Sequence, residues 1–218
     1  MEKKEHPLKN YPEEEKVDYL AVVGSMASVD GEVTDDEIAQ LREFCKDAGL
    51  SGGAIGRVVA STEAPDNVRV EEVISRLSES DLKFTLLTDL LFLAHADEEV
   101  DAEEEDRIDE IAAELNIEQE RLEAIRKYVS AVVEARNSDA EKNLGEAAAN
   151  ALANVAGAGV PIGAVAAAGT SGLSAAGMTS GLAALGLGLG MAGGIGAVAL
   201  LGIGAYTGVH AIYNRIKD

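Results

Sequence analysis

The stretch "SVDGEVTDDEI", Ser28 to Ile38, sets five carboxylates within eleven residues, and a cousin, "HADEEVDAEEEDRI", spans His95 to Ile108. Three readings compete for so much acid in so little chain: the starts of helices, a cation site, or the solvated end of an acidic protein. A displacement of 67 residues decides the architecture around them. It lays "YLAVVGSMASVDGEV" on "LLTDLLFLAHADEEV", so that Leu20 meets Leu87, Val23 meets Leu90, Ala27 meets Ala94, Asp30 meets Asp97, Glu32 meets Glu99 and Glu37 meets Glu104. The register continues through Leu41 and Ile108, Phe44 and Ile111, and Leu50 and Ile117, which reads as an internal duplication.

Each copy has the same plan. An apolar segment with helical spacing (Leu20, Val23, Ala27; Leu87, Leu90, Leu91, Ala94) ends at the acidic loop, and an amphipathic helix opens after Thr34 or Asp101. Thr34 with Glu37, and Asp101 with Glu104, have capping-box spacing: the first side chain takes a free backbone N–H and the Glu reaches back. Acids in that first turn also oppose the positive end of the helix dipole. Capping leaves Asp30, Glu32, Asp97 and Glu99 unexplained. Val70 to Leu77 and Ile117 to Arg136 continue the helical pattern, and no alternating strand stands out, so the expected fold is all-α with six to eight helices before residue 137.

With the repeat laid out, "ASVDGEVTDDEI" and "AHADEEVDAEEEDRI" resemble the paired "aDG.v...E" signatures of the TerB-like (tellurite resistance protein B) family, over about Glu15 to Arg136. The resemblance implies a helical bundle of two similar halves, an acidic surface that binds divalent cations, and a role in membrane-associated stress or metal resistance. By position it carries over Asp30, Glu32 and Glu37 as candidate metal ligands, with Asp97, Glu99, Asp101 and Glu104 in the second copy. The second loop has Glu98 where the first has Gly31. Oxygen donors without Cys or clustered His favour Ca²⁺ or Mg²⁺ over Zn²⁺. Asp97, Glu99 and Asp101 mimic the opening of an EF-hand, but Ala102 and Ile108 stand where that loop needs Gly and Glu, so it is not one.

Other chemistry is poorly supplied. Cys45, alone in "LREFCKDAGL", has no partner for a disulfide and no His beside it, and reads as a small buried hydrophobe. His95 is either a ligand or a packed, hydrogen-bonded ring. Nothing provides a nucleophile, an oxyanion hole or a phosphate loop, so an enzyme is not expected; a metal-dependent hydrolase ranks last among the readings.

Charge divides the chain. Of its 39 acidic and 18 basic residues only Arg215, Lys217 and Asp218 lie beyond Glu146, so residues 1–146 have a formal net charge of −22. Such a surface repels phosphates and excludes nucleic acid as a partner. Residues 147–214 carry no Asp, Glu, Lys or Arg, and residues 147–218 hold 16 of the 23 glycines. Two membrane spans fit there, at 150–168 and 182–205, since each pass needs about 20 apolar residues. Gly159 and Gly163, Gly177 and Gly181, Gly186, Gly190 and Gly194, then Gly204 and Gly208 have GxxxG spacing, which lets helices pack and self-associate.

The expected division is a charged extension over 1–16, the acidic helical domain over 17–136, a linking helix over 137–149, and a Gly/Ala-rich helical hairpin over 150–218. The N-terminus lacks the apolar core of a secretory signal, and basic residues flank the hairpin on both sides. The domain is therefore expected in the cytoplasm, anchored at the inner membrane through 150–214, with a soluble pool as the variant. The function expected is a non-enzymatic scaffold or cation-responsive resistance protein with protein partners. The alternative is a membrane-inserting, pore-forming effector kept soluble by its acidic domain; in that case the hairpin stays folded on the domain until triggered.

Overall fold

The computed structural model describes residues 6–27, 35–95, 102–137 and 150–168, and every regular element among them is helical. A short 3₁₀ turn (Pro7–Asn10) precedes α1 (Glu13–Ala27), α2 (Asp35–Asp47), α3 (Gly52–Glu63), α4 (Val70–Leu77), α5 (Leu82–Ala94), α6 (Ala102–Glu114) and α7 (Gln119–Asn137). Two more helices follow, α8 over residues 150–157 and α9 (Ile162–Ala168). The chain is thus all-α over the described residues, as its periodicity predicts.

The 67-residue offset recurs in the helix bounds. α2 and α6 differ by that offset at both ends, α3 and α7 at their starts, and α1 and α5 at their ends. It recurs in the way α2 and α6 stop. Gly49, at φ +78°, and Asn116, at φ +51°, each take the left-handed conformation after the helix. The next N–H, of Leu50 or Ile117, reaches back five residues to the carbonyl of Cys45 or Ala112 at 3.0 and 2.9 Å. This is the Schellman arrangement, and it turns Leu50 and Ile117 inward, where both are buried. α8 ends the same way, with Gly159 at φ +75° and Val160 N–H on the Val155 carbonyl at 3.1 Å.

α5 is the centre of the bundle. Leu82, Phe84, Leu86, Leu87, Leu90, Leu91 and Phe92 leave it no polar face, so neighbours must cover it all round. α1, α4, α6, α7 and α9 do so. α4 shows the complementary pattern: Val70, Val73, Ile74 and Leu77 are buried while Glu71, Glu72 and Arg76 face water. Burying four such side chains contributes on the order of 6–12 kcal/mol before chain entropy is set against it.

α1 lies closest to α3. A Cβ placed on Gly24 would sit 2.2 Å from Thr62 Oγ1, so hydrogen is the only side chain that admits this approach. Along the first two turns of α1, scarce bases fasten the surface. Arg57 donates twice to Glu14, both at 2.7 Å, and Arg76 twice to Asp18 at 2.7 and 2.8 Å. Glu13 accepts from the backbone N–H and hydroxyl of Ser51, the residue that caps α3.

Two boundaries differ from those the composition suggested. α1 begins at Glu13, inside the presumed charged extension, and the chain ahead of it is folded down. Leu8 and Lys16 are buried, and Lys16 Nζ donates to the Ala48 carbonyl at 2.9 Å, at the negative end of α2. Residues 150–168, assigned above to a first membrane span, are α8 and α9. Gly159 and Pro161 break the helix between them, so Gly159 and Gly163 share no helix and their GxxxG spacing makes no groove. Ala151, Leu152, Val155, Val160, Ala164 and Val165 join the core cluster, and Thr85 Oγ1 donates to the Ala164 carbonyl at 2.9 Å. No helix among the described residues is long and apolar enough to cross a membrane. The remaining GxxxG pairs, the second span and the linker over 138–149 lie outside the described residues.

His6 anchors the first turn. Its Nδ1 accepts from Leu8 N–H at 3.2 Å, its ring meets Phe44 edge-on, and burial lowers its pKa to about 4 against the opposing pull of Asp47. A protonated ring could not accept that bond. Because the folded-state pKa lies below the unfolded value of 6.5, the contribution is whole above pH 6.5 and is lost as pH falls toward 4. Replacing His6 with Asn, whose carbonyl keeps the acceptor, should flatten the stability curve in that window by about 1–2 kcal/mol, the shift being discounted for partial exposure. Urea unfolding at pH 7, 5.5 and 4.5 measures it. Gly24→Ala should cost about 1–3 kcal/mol by overpacking, and Thr62→Ala in the same chain should restore much of it; thermal unfolding of the three variants checks the pair.

Candidate functional site

The two acidic loops leave the ends of α1 and α5 and enter α2 and α6. Asp30, Glu32, Asp97, Glu99 and Asp101 lie outside the described residues. Glu37 and Glu104 fall in the first turns of α2 and α6, where capping-box spacing puts them. Asp35, Glu105 and Asp106 nearby are exposed, so acid accumulates at the positive ends of these two helices. Among the described residues no group of three or more His, Cys, Asp or Glu is placed to hold a metal.

His95 closes α5 immediately before the second loop. It is half-buried, and its Nδ1 lies 2.9 Å from the Leu91 carbonyl. A carbonyl only accepts, so Nδ1 carries the proton and Nε2 of the neutral ring is the acceptor. The ring is thus packed and hydrogen-bonded, the plainer of its two readings.

A buried polar pair that no local sequence pattern reveals joins α1 to α5. Asp89, 2% exposed in the middle of α5, accepts from the Tyr19 hydroxyl of α1 at 2.5 Å. The signal was present as an Asp within "FTLLTDLLFLA", where an apolar helix has no call for a carboxylate unless it is bonded. The pair ties together the two helices that deliver the loops. Other buried hydroxyls turn to backbone: Ser25 to the Val22 carbonyl, Thr62 to Val58 and Thr88 to Phe84.

Cys45 offers no nucleophile. It is fully buried, and burial pushes its thiol up to about 12, so the reactive thiolate is absent at neutral pH. Tyr128, likewise buried, meets the Phe92 ring edge-on, and burial raises its hydroxyl above the usual phenol range. These groups pack the bundle.

If the Tyr19–Asp89 pair is a tie between α1 and α5, Tyr19→Phe should lower stability by about 1–3 kcal/mol, the cost of a buried acceptor losing its donor. Asp89→Ala should cost more, about 3–5 kcal/mol. Urea denaturation reads both, and helical content by circular dichroism should be unchanged before unfolding.

One family model matches the chain: "Tellurite resistance protein TerB", over residues 16–127. The match contains both acidic loops, most of α1, all of α2 to α6 and the first half of α7, and it ends before α8 and α9. No curated protein and no solved structure matches.

Proposed function

Because the chain belongs to the TerB family, we propose that it is a non-enzymatic stress-resistance protein of the tellurite-resistance type, in which the duplicated acidic loops take a hard divalent cation. The observation that carries this reading is the family match over 16–127, which encloses both loops in one helical domain. Asp30, Glu32 and Glu37 supply the oxygens of one loop, and Asp97, Glu99, Asp101 and Glu104 those of the other, for Ca²⁺ or Mg²⁺. With a net charge of −21 on the whole chain, a bound cation also relieves repulsion among its carboxylates.

The proposed setting is a membrane, with the acidic domain on its cytoplasmic side and protein partners meeting it there; the uncharged run over 147–214 supports this reading. The second reading, an effector whose hydrophobic region inserts conditionally, is favoured by one observation: 150–168 is packed on the domain as two short helices.

Calorimetric titration of the full chain with Ca²⁺ and then Mg²⁺ tests the cation site. Saturable heat is expected, weakened about tenfold or more by Asp30→Asn with Glu32→Gln and again by Asp97→Asn with Glu99→Gln. Absence of heat at millimolar ion would remove the cation from the proposal. For the membrane, the protein should sediment with membranes and resist a carbonate wash.

A further inference from the structure

The family match leaves out two segments, and they meet. Residues 6–11 precede it and residues 150–168 follow it, yet α9 lies against both the first turn, Pro7–Asn10, and α5. Leu8, Val155, Ala164 and Val165 have no exposed surface there. The bond from Thr85 to the Ala164 carbonyl marks the centre of the contact. Without these segments Thr85 and the apolar side chains beside it on α5 would face water.

We propose that this face of α5 is a helix-docking groove, and that residues 150–168 are its resident occupant, which leaves it when the chain engages a lipid bilayer. This rests on the membrane reading above. Three observations support it. First, the docked and membrane-spanning forms exclude each other. Docked, the 19 residues are two short helices broken at Gly159 and Pro161; as one continuous helix they would extend about 28 Å, close to the hydrocarbon thickness of about 30 Å. Second, 150–168 carries no charged side chain, so it is held by apolar contact and one side-chain hydrogen bond. Hydrocarbon replaces such contacts without desolvating a charge. Third, twelve residues of sequence, 138–149, separate the end of α7 from residue 150, so the occupant is joined to the domain through its own segment of chain.

The test locks the occupant in place. In the full chain, Thr85→Cys with Ala164→Cys puts thiols on the two residues joined by the bond from the Thr85 hydroxyl to the Ala164 backbone carbonyl, and buried Cys45 stays out of the oxidation. Oxidised and reduced protein are mixed with phosphatidylcholine vesicles, chosen because anionic lipid would repel the acidic domain, and floated on a density gradient. The reduced protein should float and the oxidised protein should float at least tenfold less. Equal flotation of both would overturn the docking role and leave the membrane reading standing; flotation of neither would remove both. A second variant guards against an unformed disulfide: Val155→Ala with Val165→Ala should float several-fold more than the parent chain. Unchanged flotation of that variant would also overturn the proposal.

Discussion

A helix with no wettable side must be enclosed, and α5 is such a helix. Its leucines and phenylalanines point in every direction, so the bundle is built as a wrapping, with α1, α4, α6, α7 and α9 each covering a sector. The polar groups on α5 obey the same constraint. Thr85, Thr88 and Asp89 all find partners inside the protein, in the Ala164 carbonyl, the Phe84 carbonyl and the Tyr19 hydroxyl. Each therefore escapes the penalty of about 1–3 kcal/mol for a buried polar group left alone.

Around that centre the surface is strongly acidic, and the few bases are placed with economy. Arg57 and Arg76 both hold carboxylates of α1, and Lys16 is withdrawn from the surface to the end of α2. Exposed pairs contribute little singly, about 0–1 kcal/mol. Their siting on one helix nonetheless fixes α1 against α3 and α4. Core packing and surface charge thus pull in opposite directions in the same domain.

Much of this was legible in the sequence. Helical spacing and the 67-residue offset located α1, α2, α5 and α6, and capping-box spacing marked the starts of α2 and α6. Two regions were not legible, for the same physical reason. "HPLKNY" reads as a polar extension because only Leu8 and the Lys16 further on belong to the interior, and residue type alone does not reveal that a lysine will be buried on a carbonyl. Residues 150–168 are Ala, Gly and Val without charge, a composition that suits hydrocarbon and an apolar helix face equally. Asp89 was readable as an anomaly in an apolar helix, but its partner Tyr19 lies 70 residues away, and no local pattern connects the two. For the loops the residues themselves are the whole of the case.

The Schellman turn of Gly159 and Val160 and the short helix that follows it also bear on how the chain is made. Pro7–Asn10 is translated well ahead of the element that lies beside it, Ile162–Ala168, which follows more than 150 residues later. At roughly 5–20 residues per second, α5 emerges several seconds before α9 exists to cover it. During that interval the nascent domain holds an open apolar face, so its assembly is ordered in time: the helices through α7 form first, and α9 closes over α5 after them.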